Sequence, residues 1–73
     1  MEIRQFNYFM TVAKLGSFTK ASQQLHVSQP ALSKTIKAFE SELNVELLDR
    51  SDRQVKLTDS GEIVYNHGLK IFD

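Results

Sequence analysis

Residues 21–33, ASQQLHVSQPALS, read as two short helices around a tight corner. Ala21 and Leu25 stand four apart, on one helical face. His26, Val27 and Ser28 break that spacing. Ser28 suits the N-cap of the next helix, its hydroxyl accepting from an orphan backbone N–H. Pro30 then falls in the first turn, where the N–H it lacks is not needed. A helix, a short turn and a second helix with a polar first turn is the layout that sets a recognition helix in a DNA major groove.

The second helix extends the pattern. Leu32, Ile36, Phe39 and Leu43 recur at helical steps and form one narrow apolar stripe. At about 100° per residue, Pro30, Ser33, Lys34, Lys37 and Ser41 cluster on the opposite side. A solvated outer face is the ordinary meaning of such a pattern. Here its start is uncharged or basic, meets no carboxylate before Glu40, and follows a helix-turn-helix corner, which favours DNA.

Upstream, a helix is predicted over residues 3–14, its apolar side formed by Ile3, Phe6, Phe9, Met10 and Ala13. Gly16 stops it, and Ser17 caps the next helix, which adds Phe18, Ala21 and Leu25 to the core. These aromatic residues stand at core spacing, which favours packing over stacking on bases. Downstream, Asn44 suits the left-handed C′ position. Residues 45–48 (VELL) and 55–57 (VKL) read as short strands joined by the polar tip RSDRQ at 50–54, a wing.

Thr58 is the predicted N-cap of the last helix, with Asp59 and Glu62 complementing its dipole. Ile63, Val64 and Ile71 share one sector of this helix, and Tyr65, Leu69 and Phe72 a second. One apolar sector can pack on a small domain, and a second calls for a partner. Gly68, costly inside a helix by about 1 kcal/mol relative to alanine, suggests a close helix–helix approach.

Composition narrows the function classes. A chain of 73 residues makes one domain with a modest core, hiding roughly 60% of its unfolded surface. The absence of cysteine rules out a disulfide framework and thiolate metal ligands, and fits a reducing cytoplasm. No apolar run is long enough for a bilayer span, and no membrane partner is expected. His26 and His67 have no metal-ligand spacing, no nucleophile stands beside an oriented base, and Gly16, Gly61 and Gly68 are isolated. Neither enzymatic activity, a metal nor a cofactor is expected. The formal net charge of zero runs against nucleic-acid binding. Its distribution softens the objection. Residues 14–37 hold Lys14, Lys20, Lys34 and Lys37 and no carboxylate, whereas 40–49 hold four acids and no base, the acids expected to face away from DNA.

The stretch GSFTKASQQLHVSQPALSKTIKAFESEL, followed by LLDR and LTDSG, resembles the N-terminal DNA-binding domain of LysR-type transcriptional regulators over the whole chain. The departures are Ser22 and Ser60 for the usual alanines, Lys34 for the common arginine, Asn44 for glycine and Leu48 for phenylalanine. Lys34 matters most, because a lysine is a single point charge where arginine offers a bidentate fork to guanine.

The resemblance implies a mainly helical fold: a three-helix core with a two-stranded wing over residues 1–57, then the start of a long linker helix at 58–73. It further implies a bacterial, cytoplasmic regulator whose partner is double-stranded DNA bearing an interrupted inverted repeat. Gln29, Pro30, Ser33 and Lys34 are expected to read bases. Ser28, Thr35, Lys37 and Arg50 would hold phosphates, with Thr19 and Lys20 beside them, and Arg53 would enter the minor groove. Tyr65, Leu69 and Phe72 would form a homodimer contact. The chain reads as the DNA-binding part of a longer regulator, with any small-molecule effector bound by a domain absent from it. The alternative class is a winged helix that binds protein instead of DNA.

Overall fold

A computed structural model describes residues 2–52 and 54–72. Helices α1 (Ile3–Leu15), α2 (Phe18–Leu25) and α3 (Gln29–Leu43) precede a hairpin of β1 (Leu48–Asp49) and β2 (Lys56–Leu57), and α4 (Asp59–Phe72) closes the order. The strands pair antiparallel, Leu48 opposite Leu57 and Asp49 opposite Lys56. This is the expected three-helix core with a wing.

The helix boundaries follow from local chemistry. Gly16 takes the left-handed conformation, and its N–H bonds the Val12 carbonyl at 2.7 Å. Ser17 Oγ accepts from the Lys20 N–H at 3.1 Å, and Ser28 Oγ from that of Ala31 at 3.2 Å. The corner itself turns on His26, a left-handed residue with φ of 58°. Its N–H and that of Val27 reach back to Gln23 and Ser22, a Schellman closure. Asn44 closes α3 the same way, with Val45 bonding back to Glu40.

Phe9, Val12, Ala21, Leu32, Ile36, Phe39 and Leu47 are fully buried. Phe39 is the hub. Its ring lies 6.1 Å from those of both Phe6 and Phe9, edge-on to the first and tilted to the second. Two expected core positions fall outside: Ile3 is 79% exposed and Leu43 stands at the margin, because each is the terminal residue of its helix.

The strands are shorter than predicted. Residues 45–47 do not enter the sheet, because their backbone groups are bound elsewhere. The Glu40 carboxylate accepts from the N–H groups of Leu47 and Leu48 at 2.7 and 3.2 Å, and the Leu47 carbonyl accepts from Thr58. The wing is thereby tied to α3 on one side and to the start of α4 on the other. It also hangs on the α1–α2 turn, where the Val55 N–H bonds the Gly16 carbonyl.

Helix α4 is capped by Thr58, whose Oγ1 accepts from Gly61 at 3.0 Å and donates to the Glu46 carbonyl. Its inward face is Gly61 against Leu47 and Gly68 against Phe6 and Met10, so the close approach expected at Gly68 is present. Val64 and Tyr65 flank these glycines, half-buried on the core.

Candidate nucleic-acid interface

The start of α3 stands proud of the domain because its opposite stripe, Leu32, Ile36 and Phe39, is held in the core. Gln29, Pro30, Lys34 and Lys37 are exposed along it, while Ser33 and Thr35 are half-buried at its edges. Thr19 and Lys20 are exposed at the start of α2. Thr19 meets the corner directly: its Oγ1 accepts from Gln29 Nε2 at 3.2 Å.

Arg50, directly after β1, crosses to the same place. Its Nη1 donates to Ser33 Oγ at 3.0 Å, and its guanidinium carbon lies 4.3 Å from the Phe18 ring centroid. Phe18, Gln29, Pro30, Ser33 and Arg50 together line a shallow cleft of about 330 Å³. The structure thus gathers most of the expected base and phosphate contacts on one surface. Among the described residues, Lys20, Lys34, Lys37 and Arg50 form no ion pair with a carboxylate. Four cations without ion pairs beside exposed amide and hydroxyl groups suit a polyanion. The Ser28 hydroxyl serves as a cap, accepting from the Ala31 N–H.

The acidic stretch divides. Glu42 turns toward α1 and accepts from Gln5 Nε2 at 3.3 Å. Glu40 and Glu46, by contrast, line a cleft shared with Lys37 and Arg50, so the whole stretch does not face away as expected. Glu40 is bound to the wing backbone, and its negative charge is directed at N–H groups. Asp49 accepts from both the hydroxyl and the N–H of Ser51, bonds that hold its carboxyl below the ordinary carboxylate range. The wing-tip ion pair is Lys56 with Asp52 at 3.7 Å, both exposed and worth little by themselves. Arg53 lies outside the described residues.

Sequence reasoning passed over Glu40 and the Phe18–Arg50 stack. Their partners lie in another element, and no local periodicity marks such a contact. The last helix packs differently from the expected arrangement. Tyr65 packs on the domain's own core, so it is not surplus surface. Leu69 is 41% exposed, and the Phe72 side chain is outside the described residues. The larger exposed apolar surface is a groove of about 460 Å³ bounded by Ile3, Phe6, Leu43, Ile63 and Ile71. Gly61 and Gly68, which have no side chain, are what the domain packs against, and both sectors are split: Val64 and Tyr65 pack on the core while Ile63, Leu69 and Ile71 are exposed. Among the described residues no His, Asp or Glu groups gather as metal ligands, and no helix is long and apolar enough to cross a membrane.

Comparison with known proteins fits this surface. Residues 3–62 match the family described as bacterial regulatory helix-turn-helix protein, lysR family. An uncharacterised HTH-type transcriptional regulator of Bacillus subtilis, YwbI, is 60% identical over 57 residues, covering 78% of this chain and 19% of the relative. A probable cat1 operon transcriptional activator of Acinetobacter lwoffii is 42% identical over 71 residues, or 97% of this chain and 23% of the relative. The chain therefore spans about a quarter or less of these curated relatives, which are transcription regulators. Among solved structures, the BenM DBD in complex with catB site 1 DNA superposes with a TM-score of 0.95 at 42% identity, covering 99% of this chain and 80% of that one.

Proposed function

We propose that this chain, which belongs to the lysR family of bacterial regulatory helix-turn-helix proteins, is the sequence-specific DNA-reading domain of a cytoplasmic transcription regulator. The observation that carries this reading is the basic surface at the start of α3, which forms no ion pair among the described residues and is joined there by Arg50 from the wing. Gln29, Pro30, Ser33 and Lys34 read base edges: a glutamine pairs with adenine through both amide atoms, and the proline ring touches a thymine methyl. Ser28, Thr35, Lys37, Arg50, Thr19 and Lys20 fix register on phosphates, and Arg53 enters the minor groove. In this reading residues 1–57 are the reading unit and 58–73 begin a linker helix. A small-molecule effector acts through a domain outside these residues.

Duplex binding measured across salt concentrations tests the assignment. Lys37→Ala weakens all duplexes alike and flattens the log–log salt slope by about one unit, as one lost phosphate contact does. Gln29→Ala instead relaxes preference at one base pair, by about 1–3 kcal/mol. An equal loss on selected and random DNA overturns base reading by Gln29. Binding of no duplex at low salt overturns the function itself.

The operator is an interrupted inverted repeat, read by a homodimer that pairs through α4. Leu69 and Phe72 contribute as the sequence suggests, together with Ile63 and Ile71, which are 61% and 70% exposed. Sedimentation velocity is expected to show a concentration-dependent dimer, and Ile63→Ser with Leu69→Ser a folded monomer that still binds a half-site. A wild-type chain that remains monomeric at millimolar concentration excludes the pairing.

A further inference from the structure

Phe18 is half-buried on the core, yet one face of its ring carries the Arg50 guanidinium at 4.3 Å. A free arginine side chain on a wing samples many rotamers, and binding DNA must select one. Here the choice is made beforehand. The backbone at Leu48 is bound by Glu40, Asp49 binds the next residue, Ser51, and the guanidinium is stacked on Phe18. Arg50 has donors only, so in its bond to Ser33 the serine oxygen must accept. The Ser33 proton is therefore left to point elsewhere, and no acceptor among the described residues takes it.

We propose that Phe18 is a positioning residue for DNA recognition: its ring holds Arg50 beside the start of α3, where Arg50 orients Ser33 as a hydroxyl donor toward an acceptor on the duplex. The proposal rests on the DNA-reading function above and names a residue that acts through another. Phe18 itself touches no base. Arg50 becomes a link between wing and recognition helix as well as a phosphate contact, which makes Ser33 and Arg50 one specificity unit.

A double-mutant cycle tests this on a duplex that the wild-type chain selects from a randomised pool. Phe18→Leu keeps an apolar side chain on the core and removes the ring face. It is expected to weaken binding roughly fivefold, the scale of a partly exposed cation–π contact. In an Arg50→Ala background the same change should have almost no effect, and Phe18→Tyr should restore wild-type affinity. Repeating the selection, Ser33→Ala and Arg50→Ala should relax preference at the same base pair. Equal losses from Phe18→Leu in both backgrounds, or relaxation at different base pairs, would reduce Phe18 to ordinary packing and overturn the proposal. Should Phe18→Leu fail to fold, the wild-type chain decides the matter by NMR. Arg50 side-chain protons shifted upfield by the ring current are expected, and random-coil positions overturn the stack. Failure of the wild-type chain to select any duplex is a different result, and it removes the DNA-reading function.

Discussion

Phe39→Ala is expected to destabilise the domain by about 3–5 kcal/mol, the usual cost of emptying a buried phenylalanine site. Phe39 is fully buried and contacts the rings of Phe6 and Phe9, so truncation leaves a cavity that α1 and α3 cannot both close. A domain of 73 residues has roughly 4–11 kcal/mol of stability in total, at about 0.05–0.15 kcal/mol per residue. The variant should therefore be largely unfolded, or unfold at a much lower denaturant midpoint than wild type. Recognition suffers with it, because Phe39 anchors the inner stripe whose outer counterpart bears Lys34 and Lys37. A loss below about 1 kcal/mol would mean that the core relaxes around the site and that Phe39 is not its hub.

Gly61→Ala is expected to cost about 3 kcal/mol or more, at the upper end of overpacking penalties. An added Cβ would overlap the Leu47 carbonyl oxygen and come within 2.9 Å of its carbon and 3.2 Å of Leu57 Cδ2. The obstacle is backbone, and that backbone is held twice, by the Thr58 N–H on the Leu47 carbonyl and by Glu40 on the Leu47 N–H. Gly68→Ala offers the contrast. Its added Cβ meets Met10 Sδ at 2.5 Å and Phe6 Cζ at 2.7 Å, side-chain ends of which the methionine can rotate aside. Both glycines lie in α4, so both variants share the helix preference of alanine, about 1 kcal/mol at most, and the clash decides the order. Denaturant midpoints of the two variants should rank Gly61→Ala as the more damaging. The reverse order would show that α4 meets the wing less closely than it meets α1.

What the sequence determined by itself is the local chemistry. Ser17 and Ser28 as caps, Gly16 and Asn44 as left-handed stops, the stripe Leu32–Ile36–Phe39 and the Thr58 start of the last helix each depend on residues a few positions apart. Local backbone rules are sufficient for them. The exposed face from Gln29 to Lys37 was legible for the same reason, as the complement of an apolar stripe. Only the tertiary structure decided the rest. His26 takes a left-handed conformation at the corner, where its N–H and that of Val27 close back on Gln23 and Ser22. Residues 45–47 read as strand, yet Glu40 and Thr58 claim their backbone groups, and those partners are 7 to 12 residues away. The inward face of α4 is set by two glycines, which a count of apolar residues ignores, because only a residue without a side chain fits against the Leu47 backbone at Gly61 and the Phe6 and Met10 side chains at Gly68. The Phe18–Arg50–Ser33 unit joins three elements, and only folding brings them within hydrogen-bond reach.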